Sequence, residues 1–278
     1  MTQNGRICDD SHMQNILPIT VNFLYIAAAI ITALRLFGSE KFKSIPRGLV
    51  LATGYAAVIL HAILLYSTII VSDGVNLAFF QALSLSGMVI ALVLMVSALT
   101  KPVENLAIFL FPGIAFAVLF SAASGSAHLL DGTSGWALGI HVIASLLAWS
   151  LLAIASMQAI LLTIQDRHLH NRQPGGFVRT LPPLQTMESL LFEMIGTGMV
   201  LLTLSLVSGF IFLEDMFAQH LVHKTLLSLI AWCVFATLLY GRFKWGWRGR
   251  KALKWTLAGF AVLLLAYFGS KAVIELIL

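Results

Sequence analysis

Residues 136–163 read WALGIHVIASLLAWSLLAIASMQAILLT, a run without Asp, Glu, Lys or Arg and with a single imidazole, His141. A helix needs roughly 20 mainly apolar residues to cross the hydrocarbon core of a bilayer, and this run is longer than that. Its apolar residues do not alternate with polar ones, so it is not a strand of an outer-membrane barrel. Cutting the rest of the chain at its charged residues gives seven further segments, at about 14–36, 48–72, 76–99, 105–124, 190–213, 223–241 and 253–274. Lys254 and Lys271 bracket the uncharged centre of the last one, where long side chains can snorkel to the two interfaces. The expected fold class is an all-α membrane protein, a bundle of about eight transmembrane helices joined by short loops. A polar N-terminal tail, 1–13, is expected to precede a single transmembrane helical domain, 14–278.

Composition gives the same answer. Of the 278 residues, 59% are hydrophobic and 10% charged, and the mean hydropathy is +0.93. Soluble domains carry about 25% charged residues, so a cytosolic globular enzyme is excluded. Two cysteines, Cys8 and Cys233, are too few for a four-cysteine zinc site or an iron–sulfur ligand set. Neither stands in a C-x-x-C-H haem-attachment run. Cys233 lies in an apolar run and reads as a packed core residue. Residues 16–29 imitate a secretory signal ending at Ala27-Ala28-Ala29. The apolar run continues to Phe37 and only Arg6 precedes it, so an uncleaved anchor is expected.

The basic residues are distributed by loop. Arg35, Lys41, Lys43 and Arg47 surround the first connection, and Lys101 the third. Arg167, Arg172 and Arg179 lie in the fifth, and the seventh holds six between Arg242 and Lys254. Stretches 73–75, 125–135 and 214–222 have no Lys or Arg. This bias places the charged loops in the cytoplasm and both termini outward. It implies a multi-pass membrane protein, with the bilayer and its anionic lipids as partners. The run 241–250, GRFKWGWRGR, imitates a nucleic-acid patch, but interleaved tryptophan and basic residues fit an interfacial anchor; no nucleic-acid partner is expected. In 181–188, LPPLQTME, the prolines suit a first helical turn. The expected reading is a structural elbow; the apolar spacing that follows also fits an amphipathic segment lying on the inner surface, which is the alternative.

Histidine is the informative residue type. His12 is in the tail, His168 and His170 in a cytoplasmic loop, and His128 and His220 in outward loops. His61, His141 and His223 fall inside spans, where ionisable groups are costly and face the bundle interior. His141 and His223 share a depth near the outer side, so their imidazoles are candidates for the two axial nitrogens of one haem iron. Trp136, Trp149 and Trp232 are candidates to close that pocket. A helix rises about 1.5 Å per residue, which puts His61 on the order of 10 Å deeper, as a second site or a structural hydrogen bond. Zinc, with His220 three residues before His223 and with Asp131, Glu214 and Asp215 in the outer loops, is the other metal reading. No glycine-rich phosphate loop, nucleophile elbow or H-E-x-x-H pair is present, so no enzymatic activity is expected.

The segment from Leu138 to Trp149, LGIHVIASLLAW, resembles the histidine-bearing helix of the cytochrome c assembly family, the CcsA-like and HemX-like haem-handling membrane proteins. The resemblance extends through Ile195-Gly-Thr-Gly198, Leu202-Thr203, Ser208-Gly209, His223-Lys-Thr225, Ala231-Trp232, Gly246–Arg250 and Ala266-Tyr-Phe-Gly269, and to the Leu-Pro-Pro-Leu of 181–184. It implies a helical bundle of the bacterial inner membrane that binds haem b non-covalently through histidines and presents it at the outer face, with His141 at the family's first outward-facing histidine. Three departures accompany it. Residues 214–222 lack the family's tryptophan-rich outer loop, a family membrane histidine is replaced around Tyr240, and no second outward histidine follows the last helix. His223 as second ligand follows from topology alone.

The expected function is haem binding and presentation in cytochrome c assembly. The alternative is an accessory or regulatory subunit with structural histidines, acting through a cytochrome-assembly or ion-transport partner. A reporter active only outside the cytoplasm should give signal when fused at residue 132 and none at residue 175. The reverse pattern would invert the orientation.

Overall fold

The computed structural model describes residues 4–71, 74–76, 78–124, 129–130, 136–171, 181–212 and 219–269. In chain order the helices are α1 (Asn4–Phe37), the single turn α2 (Glu40–Lys43), α3 (Arg47–Ile69), α4 (Phe79–Thr100) and α5 (Ala107–Ala123). They continue with α6 (Trp136–His170), α7 (Leu184–Phe212), α8 (Gln219–Trp245) and α9 (Gly249–Leu264). A 3₁₀ turn, Glu104–Leu106, leads into α5, and α9 runs on into a π turn, Leu265–Gly269. Among the described residues, eight helices are long and apolar enough to cross a membrane. Many of their large apolar side chains are exposed, among them Phe23, Phe116, Val200 and Ile211. That is the surface a lipid solvent requires, since hydrocarbon leaves no drive to turn such groups inward.

The chain divides into two compact units, Met1–Gly132 and Thr133–Leu278. In the first, α1 packs on α3 and α5, and α4 packs on the same two, closing a four-helix ring. Three short strands also belong to it. β1 (Ile70–Val71) pairs antiparallel with β2 (Gly74–Asn76), and β2 with β3 (Leu129–Leu130). In the second, α6 packs on α7 and α9, and α8 on the same two, a second four-helix ring. Four-helix closure gives every span two apolar neighbours while short connections suffice.

Each ring is pinned at one end by a carboxylate held between two arginines. Glu104 lies 3.6 Å from Arg35 and 3.2 Å from Arg47. Arg47 also donates to the carbonyl oxygens of Ala98, in the last turn of α4, and of its C-cap Lys101. Glu188 lies 2.7 Å from Arg242 and 3.1 Å from Arg248. Arg242 stacks over Phe192 at 4.5 Å. The α8–α9 connection turns through Gly246 (φ 64°) and Gly249 (φ 54°), values that residues with a Cβ rarely adopt. Trp247 folds onto Gly241 and stacks with Trp245 and Trp255, while Lys244 and Lys251 sit over aromatic faces. The basic and aromatic anchor expected for 241–250 takes this form.

One sequence expectation about packing changes, at Cys233. α1 begins at Asn4 and includes the polar residues that precede Ile16, since propagating an existing helix fixes one residue per added hydrogen bond. Residues 184–193 are the first turns of the span α7, in line with the expected elbow. Leu181, Met187, Leu190 and Leu191 are buried there, so the Leu-Pro-Pro-Leu run is an elbow. Cys233 is exposed, not packed, since a lipid-facing position is as apolar as a core one. α6 carries no proline, whereas α1 and α5 hold Pro18 and Pro112.

Gly259 and Gly196 make a controlled pair within the second unit. A Cβ at Gly259 would come within 2.8 Å of the Phe235 ring, whereas one at Gly196 meets nothing within 4 Å. Phe235 is fully buried, so Gly259→Ala should cost about 1–3 kcal/mol through overpacking. Gly196→Ala should be neutral or stabilise by up to about 1 kcal/mol. Unfolding in detergent should rank them in that order.

Candidate functional site

One end of the second ring encloses a cavity of about 250 Å³. α6 contributes His141 and Ser145, and α7 contributes Leu202, Ser205, Leu206 and Gly209. Lys224, Thr225 and Ser228 come from α8, and Leu263, Ala266 and Tyr267 from α9 and its π turn. The spacing on each helix is three or four residues, one face per helix. Two walls are apolar, and hydroxyls are concentrated on the others.

His141 Nδ1 lies 2.9 Å from the backbone oxygen of Ser205 and 3.1 Å from Ser208 Oγ. A carbonyl oxygen only accepts, so Nδ1 carries the proton and donates it. The tautomer is thereby fixed, and Nε2 holds a lone pair that no described protein group engages. Metal-ligating histidines are arranged in this way, one ring nitrogen bonded behind and the other offered forward. The residues therefore fit an iron-bearing ligand. Ser208 Oγ itself donates to the Ser205 oxygen at 2.9 Å, bracing the acceptor.

The other predicted site residues lie elsewhere. His223 is exposed on α8. Successive residues on a helix turn by about 100°, and it is Lys224, Thr225 and Ser228 that face the cavity. Trp149 is not a lining residue but lies one turn further along the His141–Ser145 stripe. It is buried among Phe260, Tyr267 and Phe268 at 5.7, 6.1 and 5.4 Å, behind the wall that Tyr267 forms. Trp232 turns to α7, its Nε1 donating to Thr203 Oγ1 at 2.9 Å. The side chains of Trp136 and His220, and residues Asp131, Glu214 and Asp215, are outside the described residues. Among the described residues no three His, Cys, Asp or Glu side chains cluster.

His61 belongs to the first ring and is fully buried. Its Nδ1 is 3.0 Å from Tyr25 Oη and its Nε2 2.9 Å from Ser84 Oγ. Both nitrogens are occupied, so this imidazole ties α1, α3 and α4 together through a satisfied buried polar network. The sequence reading missed Lys224, Tyr267 and the serines of the cavity. Lys224 carried a signal, as a charge placed just inside a span; the serines carried none.

A multi-pass helical membrane protein that offers one oriented imidazole to a partly polar cavity is the class these features define. The chain belongs to the cytochrome c assembly family: residues 49–278 match the family described as Cytochrome C assembly protein. It is 30% identical over 269 residues to the inner membrane protein YpjD of Escherichia coli, covering 94% of this chain and all of that protein. An uncharacterized 28.8 kDa protein of Azospirillum brasilense is 30% identical over 66% of this chain and 69% of its own. The cytochrome c biogenesis protein CcsA of Guillardia theta is 28% identical over 49% of this chain and 50% of its own. No solved structure matches the chain.

Removing His61 should act on stability alone. His61→Ala leaves two buried hydroxyls unpaired and a void, a loss of about 2–4 kcal/mol. Denaturant unfolding should register it, while any spectral signal that depends on His141 persists in the folded fraction.

Proposed function

We propose that this protein binds haem b non-covalently at the His141 cavity and handles it at the outer face of the bacterial inner membrane, as a binding protein and not an enzyme. The observation that carries this reading is the His141–Ser205 hydrogen bond, which occupies Nδ1 of an imidazole that lines a partly polar cavity and leaves Nε2 to a ligand. Family membership supports it, as does the name of the relative YpjD, an inner membrane protein. Haem would supply an iron that takes an imidazole nitrogen as axial ligand. This chain's part is to orient that nitrogen, to hold its tautomer, and to keep the surroundings apolar through Leu202, Leu206 and Leu263. Small-molecule cavities run from roughly 300 Å³ upward. The slightly smaller volume here suits a protein that holds the ligand in part and passes it on.

Protein purified in mild detergent should show a Soret band, or acquire one with added haemin, with b-type α and β bands on reduction. His141→Ala should remove it, and added imidazole should partly restore it. His223→Ala tests the pairing of His141 with His223. Loss of the low-spin spectrum supports two axial histidines, and an unchanged spectrum leaves His141 as the sole imidazole. The second reading, an accessory subunit acting through a partner, is favoured by His61, an embedded histidine with a wholly structural bonding pattern. A colourless protein that takes up no haemin would overturn the first reading and favour the second.

A further inference from the structure

Lys224 has no role in the preceding reading. It lies in the first turn of the seventh span, and a cation in a spanning segment is costly unless it faces a cavity or a partner. It faces the cavity, where it is the only charged side chain among the lining residues apart from titratable His141. Among the described residues it makes no ion pair. Four other cations of this ring are engaged at its opposite end: Arg242 and Arg248 on Glu188, Lys244 and Lys251 over aromatic rings. Thr225, Ser228, Ser145 and Tyr267 line the same cavity, and among the described residues no carboxylate does. An ammonium that shares a cavity with hydroxyls, and that no described carboxylate balances, is suited to receive an anion. A Lys supplies it as a mobile point charge rather than a fixed fork.

We infer that Lys224 pairs with a carboxylate of the ligand held at His141, so that the cavity selects acidic tetrapyrroles over neutral ones. The inference rests on the haem reading above and adds to it a specificity residue. His141 recognises the metal, and Lys224, on the neighbouring α8, recognises the acid side chain. Neither group can do the work of the other.

The test titrates haemin and haemin dimethyl ester, whose carboxylates are blocked, into the full-length protein in neutral detergent, where no lipid phosphate competes. Binding is followed by the Soret band in wild type, Lys224→Met, Lys224→Arg and His141→Ala. A charge-assisted pair should make wild type bind haemin about ten-fold more tightly than the ester. Lys224→Met should bring haemin to the ester's affinity and leave the ester unchanged, while Lys224→Arg should keep the preference. The wild-type comparison requires no variant to fold. Equal affinity for the two compounds in wild type, with the Soret shift still lost in His141→Ala, overturns the role of Lys224 and leaves the haem reading standing. No Soret change with either compound in any variant overturns both.

Discussion

Hydrocarbon offers no hydrogen-bond partner, so every polar group inside a span must find one within the protein. Helices meet that demand for the backbone, and most hydroxyls here meet it locally. Thr32 donates to Ala28 O, Ser86 to Ala82 O, Ser150 to Leu146 O, Ser156 to Leu152 O and Thr256 to Ala252 O. Against that background the polar groups that reach across to another helix stand apart, because each spans elements that sequence does not place together. The Tyr25–His61–Ser84 chain does so in the first ring and His141–Ser205 in the second. The first leaves nothing unsatisfied; the second leaves one imidazole nitrogen to spare. The functional assignment follows from that difference.

Charge is handled by the same logic. Glu104 and Glu188 each sit between two arginines, so each ring closes one end with a small, nearly balanced cluster. Breaking such a cluster strands the remaining charges, a larger penalty than the pair itself is worth. Lys224 differs from these clusters in that it lines a cavity and pairs with no carboxylate among the described residues. An ion left without its counterpart in a low-dielectric wall is tolerated where a ligand or solvent supplies the missing charge.

Much of the architecture was legible because hydropathy and length alone define a span. All eight helices appear at the expected places, and the charged elbow at 241–250 was readable from its tryptophans and arginines. What hydropathy cannot distinguish is which side of an apolar helix meets lipid and which meets protein. Cys233 was misjudged for that reason, and neighbouring positions such as His223 and Lys224 could not be told apart by depth. His141 was legible as an embedded histidine, but its tautomer depends on Ser205, 64 positions away in the chain. The π turn at Leu265–Gly269 has no signature in composition. It nevertheless places Ala266 and Tyr267 in the cavity wall, as such turns often do at functional sites.

α6 runs from Trp136 to His170 without a proline, and its candidate span Gly139–His170, which includes the charged residues Asp166 and Arg167 near its end, has 32 residues. At about 1.5 Å per residue that span is roughly 48 Å long, against a hydrocarbon thickness of about 30 Å. The helix is therefore a stiff rod longer than the membrane is thick. Near its far end, Gln165 is tied to the Pro182 carbonyl and Gln158 to that of Met187. A force applied at that end would reach the His141 end as a tilt of the whole rod, because no kink along it can absorb the motion.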